Sequence, residues 1–281
     1  MPDTVVWLDG AVVDAAAARI SVFDHGLMVG DGVFETLRVY GGVPFAWARH
    51  CERLHRSAAG LGLAAPPCAE LRAAAEAVVA AGALREGRLR ITVTGGPSPL
   101  GSERGRAGPT VVVAASPMHP WPPTAAVVTV PWSRNERSAV AGLKTISYAE
   151  NVRALAYARE RDADEAVFPN TTGALCEATG SNVFLVRDGV VQTPPGSSGC
   201  LLGVTRALVL ELCARHGLPA EEVDLPLDAL AAADEAFLTS STREVQPIAA
   251  VDGTVLPAAP GPLTASIATH FADLVATTPD P

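Results

Sequence analysis

The sequence predicts an α+β chain of two lobes, a smaller N-terminal α/β lobe and a larger, strand-rich C-terminal lobe. Three observations carry this. Short apolar runs are closed by Asp-Gly or Gly-Gly turns, Ala-rich stretches near residues 46–61 and 69–83 repeat with helical period, and a proline-dense segment near the middle breaks every regular pattern. A chain of 281 residues can form one large domain or two modest ones and bury a substantial core.

The elements follow in order. Val5 to Leu8 and Ala11 to Asp14 flank Asp9-Gly10, a hairpin signal. Asp31 to Tyr40 alternates as a strand and turns at Gly41-Gly42. Ala46 to Leu61 is helical, with Leu54, Ala58 and Leu61 on one face, and a second helix runs from about Ala69 to Ala83. Strands are expected at Arg88 to Thr94 and Thr110 to Ala115, separated by a loop beginning Gly95-Gly96-Pro97. Ser116 to Pro123 holds four prolines in eight residues, the signature of a linker. The expected division is therefore residues 1–116, a linker at 117–124, and residues 125–281. Beyond the linker, strands are expected at Ala125 to Pro131, Glu165 to Phe168, Asn182 to Val186, Val190 to Thr193 and Glu235 to Thr239. Helices are expected at Ala149 to Arg161 and Thr205 to His216.

Composition narrows the function. Lys plus Arg total 21 against 30 Asp plus Glu, a net charge of −9, so the surface as a whole repels nucleic acid and anionic membranes. No apolar run is long enough to span a bilayer, and the first residues lack the basic-then-apolar order of a secretory signal. The five cysteines (Cys51, Cys68, Cys176, Cys200, Cys213) are odd in number and never spaced Cys-x-x-Cys. That pattern favours free thiols in a reducing cytoplasm over a disulfide framework or a structural zinc site. His50 and His55 are five apart rather than four, and no metal site is expected in the chain.

Of the 21 basic residues only Lys144 is a lysine. Arginine replaces lysine in most surface roles but stays protonated and cannot serve as an amine nucleophile. A single retained lysine is thus either a stray residue or a candidate for Schiff-base chemistry. Its surroundings are Gly142-Leu143-Lys144-Thr145-Ile146-Ser147-Tyr148. Further on come Leu175-Cys176-Glu177-Ala178-Thr179-Gly180-Ser181-Asn182 and Gly199-Cys200-Leu201-Leu202-Gly203-Val204-Thr205-Arg206. Upstream lie Gly30-Asp31-Gly32-Val33-Phe34-Glu35-Thr36 and His50-Cys51-Glu52-Arg53-Leu54.

In this order and spacing the motifs resemble the class IV (fold type IV) pyridoxal-phosphate enzymes: branched-chain aminotransferases, D-amino acid aminotransferases and aminodeoxychorismate lyases. The resemblance runs from Trp7 to about Phe271. It implies the two-lobed fold type IV architecture, pyridoxal 5′-phosphate as cofactor, a small anionic amine as substrate, and a cytoplasmic homodimer. It places the cofactor amine on Lys144 and the carboxylate partner of the ring nitrogen on Glu177. The cofactor phosphate falls to Arg53, to Gly203, Val204 and Thr205 where a turn enters a helix, and to Ser241. Thr36, Arg90, Tyr148 and Thr242 are the expected substrate residues.

The reaction is less sharply written. D-alanine transaminases of this family carry an Arg-x-His pair after the strand that here spans Arg88 to Thr94, where this chain reads Ser98-Pro99-Leu100-Gly101-Ser102. That loop, and Thr145 to Val152, look most like actinobacterial aminodeoxychorismate lyases. The resemblance therefore implies cleavage of 4-amino-4-deoxychorismate to 4-aminobenzoate and pyruvate, with a class IV aminotransferase acting on branched-chain or other amino acids as the alternative. A non-catalytic binding scaffold is the reading from a different class, and the intact set Lys144, Glu177, Arg53 and Thr205 argues against it. Arg104 and Arg106 are either substrate charges or solvated loop residues.

Overall fold

The computed structural model describes residues 3–281, which divide into two compact units. The first unit consists of the chain up to Pro120 together with Leu143–Tyr148 and Thr278–Pro281. The second holds Trp121–Gly142 and Ala149–Thr277. The lysine segment thus belongs to the first unit although the second unit's chain flanks it on both sides.

The first unit contains β1 (Val5–Leu8), β2 (Ala11–Val13), α1 (His25–Val29), β3 (Gly32–Tyr40) and β4 (Val43–Pro44). It continues with α2 (Trp47–Leu61), α3 (Cys68–Ala81), β5 (Gly87–Thr94) and β6 (Val111–Ser116). Its six strands form one antiparallel sheet in the order β2-β1-β6-β5-β3-β4. The β1–β2 turn needs positive φ at both central residues, and Asp9 (42°) and Gly10 (111°) supply it. Val33, Leu37, Leu89 and Val113 from the sheet meet Leu54 of α2 and Leu71 of α3 in one apolar core.

The start of α2 is tied to a distant part of the chain. Ala46 takes a positive φ of 54° and donates its N–H to the Pro279 carbonyl at 2.8 Å. The Asp280 carboxylate accepts from the Ala48 N–H at 2.8 Å, so a residue 232 positions away does the work of a cap.

The second unit contains β7 (Ala125–Thr129), α4 (Ala149–Arg159), β8 (Glu165–Pro169), β9 (Leu175–Ala178), β10 (Asn182–Arg187) and β11 (Val190–Thr193). After these come α5 (Val204–His216), β12 (Ala220–Glu222), β13 (Glu235–Ser240), β14 (Glu244–Val251), β15 (Thr254–Val255) and α6 (Pro262–Thr277). The nine strands run β12-β11-β10-β13-β14-β7-β8-β9, with β15 paired to β14. The Phe184 and Phe237 rings stack at 4.8 Å across the β10–β13 pair.

The sequence reading lacks the short elements α1, β4, β9, β12 and β15 and two longer ones, β14 and α6. In β14, Pro247 interrupts the pattern of a strand that proves to be central. Pairing of β14 with β7 starts only at Ile248, so the proline lies beyond that ladder. Helix α6 is Ala- and Thr-rich, and its packing on β13, β14 and α5, not a strong apolar stripe, holds it.

The cysteine expectation needs correction. Cys51 and Cys68 form a disulfide; Cys176, Cys200 and Cys213 are free and buried. The partners are 17 apart in sequence, but the side-by-side packing of α2 and the first turn of α3 brings their Cα atoms to 6.0 Å, within disulfide reach. A spacing rule built on Cys-x-x-Cys does not register helix packing.

Candidate active site

In the first unit Lys144 is fixed by β3 and α2. Its carbonyl accepts from the Phe34 N–H at 3.0 Å, and the Ile146 N–H donates to the Gly32 carbonyl at 2.9 Å. The Lys144 N–H donates to Ser57 Oγ of α2 at 3.1 Å. Gly32 is required by this approach: a methyl group there would lie 2.8 Å from both the Ile146 side chain and the Val93 carbonyl.

With the backbone so held, the Lys144 amine stands 4.6 Å from the Phe34 ring centroid. The Arg90 guanidinium lies 3.8 Å from the same centroid, and Tyr148 meets Phe34 edge to face at 5.1 Å. Thr36 pairs directly with Arg90 across the β3–β5 ladder, and period-two alternation puts it on the Phe34 face. Lys144, Thr36, Arg90 and Tyr148, four of the expected site residues, are therefore gathered around one aromatic ring.

The other face of β3 carries Glu35, fully buried. Its two oxygens accept from Arg53 Nε and Nη2, each at 2.7 Å, and Oε2 lies 2.7 Å from His50 Nδ1. Burial by itself would raise the Glu35 carboxyl, but Arg53 and then His50 outweigh it and hold it well below the usual carboxylate range. Burial pushes the His50 ring down, and Glu35 offsets this only in part. Arg53, expected to meet a phosphate, thus spends two of its five N–H donors on Glu35.

Arg104 is not a solvated loop charge. Its Nε and Nη2 donate to the two Asp31 oxygens at 2.7 Å each, and it also donates to the Leu61 and Gly62 carbonyls at the end of α2. This fork ties the loop after β5 to the family string at Gly30–Thr36. Arg106 is exposed.

In the second unit Glu177 sits on β9. Oε1 lies 3.2 Å from Arg134 Nε, and Oε2 accepts from the Leu201 N–H at 2.9 Å. Asn182 Nδ2 donates to the Leu201 carbonyl at 2.7 Å. Glu177 and Asn182 therefore clamp the residue that leads into α5. Gly203 is the N-cap of α5, where a methyl group would overlap the Asn182 side-chain oxygen unless Asn182 moved. No side chain caps this 13-residue helix, so the first-turn N–H groups of Val204 and Thr205 and the helix dipole present an anion cradle.

Ser241 and Thr242 occupy the turn between β13 and β14. Arg243, next in the turn, is buried and lies 3.8 Å from the Trp121 ring centroid, with Nη2 3.3 Å from Glu165. Glu165 also bonds Thr179. The turn is thereby pinned to the sheet core.

The Amino-transferase class IV family profile matches residues 32–251. The chain belongs to the class IV aminotransferases. A D-alanine aminotransferase of Bacillus licheniformis is 34% identical over 269 residues, covering 94% of each chain. A branched-chain-amino-acid aminotransferase of Pseudomonas aeruginosa is 32% identical over 287 residues, covering 97% of this chain and 93% of that one. Among solved structures, the branched-chain aminotransferase of Thermoproteus uzoniensis with norvaline superposes with a TM-score of 0.90 at 34% identity, over 96% of this chain and 94% of the other. The fold is fold type IV, and class IV aminotransferases use pyridoxal 5′-phosphate. The residues present fit that cofactor: a sole lysine on an aromatic face, a carboxylate anchored through one oxygen to a backbone N–H, and an uncapped helix N-terminus for a phosphate.

Sequence reasoning missed Glu35, His50, Arg134 and Asn182. For Glu35 a signal was available, since alternation from Val33 to Leu37 puts a carboxylate on the core face, where it needs a partner. For Arg134 no local pattern points to Glu177.

Proposed function

We propose that this protein is a pyridoxal-phosphate aminotransferase that moves the amino group of an aliphatic α-amino acid to a 2-oxo acid, and that it works as a homodimer. The observation that carries the reading is the sole lysine held with its amine over Phe34 beside Arg90. When bound, the cofactor supplies an electron sink for charge at the substrate's amine-bearing carbon. Lys144 would hold the cofactor through its amine, and the same amine would carry the proton at that carbon. Glu177 would partner the ring nitrogen, and Arg134 and the Leu201 N–H aim its carboxylate. Val204, Thr205, Arg53 and Ser241 would hold the phosphate. Arg90 takes the substrate carboxylate, with Thr36, Tyr148 and Thr242 shaping its surroundings.

The dimer is supported by exposed apolar residues that adjoin within the first unit. Val22, Phe23 and Leu27 are exposed, and the Phe23 carbonyl bonds the Ser98 N–H of the loop that bears exposed Leu100. Among the described residues no helix is long and apolar enough to cross a membrane.

A second reading, 4-amino-4-deoxychorismate lyase, is favoured by the loop Ser98 to Gly105, which lacks an Arg-x-His pair, and by Thr145 to Val152. In that reaction Lys144 removes the proton at the amine-bearing carbon, pyruvate leaves, and the ring becomes aromatic. With Arg104 committed to Asp31, a dianionic substrate would rely on Arg90 and Arg106. The named relatives shift the balance to the aminotransferase.

Product analysis separates the two. The holoenzyme is incubated with leucine, with D-alanine and with aminodeoxychorismate, each with and without 2-oxoglutarate. An aminotransferase gives one equivalent of oxo acid without acceptor and many with it. Repeated release of 4-aminobenzoate and pyruvate without acceptor would establish the lyase instead. Protein that binds no chromophore would leave only the scaffold reading.

A further inference from the structure

We propose that Cys51, His55 and Cys68, once their disulfide is reduced, bind one zinc ion between α2 and α3. This site is separate from the cofactor residues and rests on geometry alone. Cys51 and His55 are four apart on α2 and share a helical face, and Cys68 opens α3. Their ligand atoms lie within 4.8 Å of one another.

His55 Nδ1 is 3.6 Å from each sulfur. A tetrahedral zinc with Zn–S of about 2.3 Å and Zn–N of about 2.0–2.1 Å requires an N···S separation of about 3.6 Å, so the imidazole already stands where a ligand must. The sulfurs have to part, to roughly 3.8 Å, once the bond between them is broken, and Nδ1 has to turn from the Cys51 carbonyl oxygen 2.9 Å away. The 6.0 Å Cα separation leaves room for that by side-chain rotation.

The second contact of the imidazole points the same way. His55 Nδ1 lies 2.9 Å from the Cys51 carbonyl oxygen and Nε2 lies 2.9 Å from the Pro66 carbonyl oxygen. In either neutral tautomer one ring nitrogen turns its lone pair toward a carbonyl oxygen. With Nε2–H donating to Pro66, the carbonyl partner that metal-ligating histidines have, Nδ1 is the nitrogen left for zinc, reached by a ring rotation that turns it from the Cys51 carbonyl. Two thiolates and one imidazole are a zinc donor set, and the surface position of Cys68 admits water as fourth ligand.

The chemistry balances. A dithiol reductant gives two electrons and two protons to the Cys51–Cys68 bond and is itself oxidised to a disulfide. Zinc then displaces both thiol protons, so two protons leave for each ion bound.

Cobalt substitution tests the site. Holoenzyme is reduced with a dithiol, desalted without air, and titrated with Co2+ while the red d–d absorption of tetrahedral cobalt, clear of the cofactor bands, is followed. The expected result is one equivalent bound per chain, displaced by Zn2+, with no absorption in the oxidised protein and loss of the signal in Cys68→Ser. On unmutated reduced protein, zinc should protect Cys51 and Cys68 from iodoacetamide while labelling of Cys176, Cys200 and Cys213 is unchanged, which keeps the test independent of variant folding. Absence of tetrahedral absorption in the reduced protein, or its survival in Cys68→Ser, overturns the proposal, as does a lack of protection at both thiols.

Discussion

Replacing Glu35 by Gln keeps the volume of a fully buried side chain and removes its charge. Three donors converge on the native carboxylate at 2.7 Å: Arg53 Nε, Arg53 Nη2 and His50 Nδ1. A glutamine amide offers one oxygen, so its NH2 must face an Arg53 N–H in one orientation, and an Arg53 N–H together with His50 in the other. Arg53, itself buried, loses its buried carboxylate partner. Breaking a buried pair from one side costs about 3–5 kcal/mol, a large share of a domain's roughly 5–15 kcal/mol. Urea melts followed by near-UV circular dichroism read the loss, and hydrogen exchange on α2 peptides assigns it to the first unit.

The pH dependence has a definite sign. The Glu35 carboxyl is held below its ordinary value of 4.5, so its contribution is present above that pH and is lost as pH falls toward the folded value. The His50 ring is pushed below 6.5, so acid favours the unfolded chain there as well. Acid destabilisation of the native protein therefore begins near pH 6.5 and steepens below 4.5. Glu35→Gln should keep the first part and lose the Glu35 share of the second, leaving the shares of Asp31 and Glu136, whose carboxyls are also held low. A loss below about 1 kcal/mol, or an unchanged acid limb, would refute the buried-pair argument.

Three further outcomes are expected. Lys144→Arg keeps charge and fold but abolishes the covalent link, so borohydride reduction and peptide mapping should find the cofactor on the Lys144 peptide of the native enzyme and nowhere in the variant; an adduct on the N-terminus would be the contrary result. Glu177→Gln should leave the cofactor bound but raise the barrier by roughly 2.7–4 kcal/mol, the scale for losing one charge-stabilising group, and wild-type turnover would move that role to another acid. Reducing the Cys51–Cys68 bond, which closes a 17-residue separation, should lower stability by about 3 kcal/mol in a paired thermal melt, and an unchanged melt would contradict this.

Much of this was legible in the chain because the relevant signals are local. The Asp9-Gly10 turn, the alternation of β3, the period of α2 and the lone Lys144 each announce themselves within a few residues. The family was legible because its motifs keep a fixed order along the chain. Long-range partners were not. The ties of Arg104 to Asp31, Arg134 to Glu177 and Cys51 to Cys68 depend on how elements pack, and a single sequence carries no mark of that. β14 was hidden by Pro247, whose place beyond the β7 ladder is a tertiary fact.

The first unit's claim on Leu143–Tyr148 has a consequence for how reactivity is acquired. A growing chain can lay down β1 to β6 as it emerges, yet that nascent sheet contains no primary side-chain amine. The nucleophile comes only when the polypeptide, having set out along another body, doubles back to the edge of β3. Until that return stroke docks, the Phe34 ring has Arg90 beside it but no amine. Chemical competence is therefore a property of the completed path, so half-made copies have no lysine with which to capture the cell's free aldehyde.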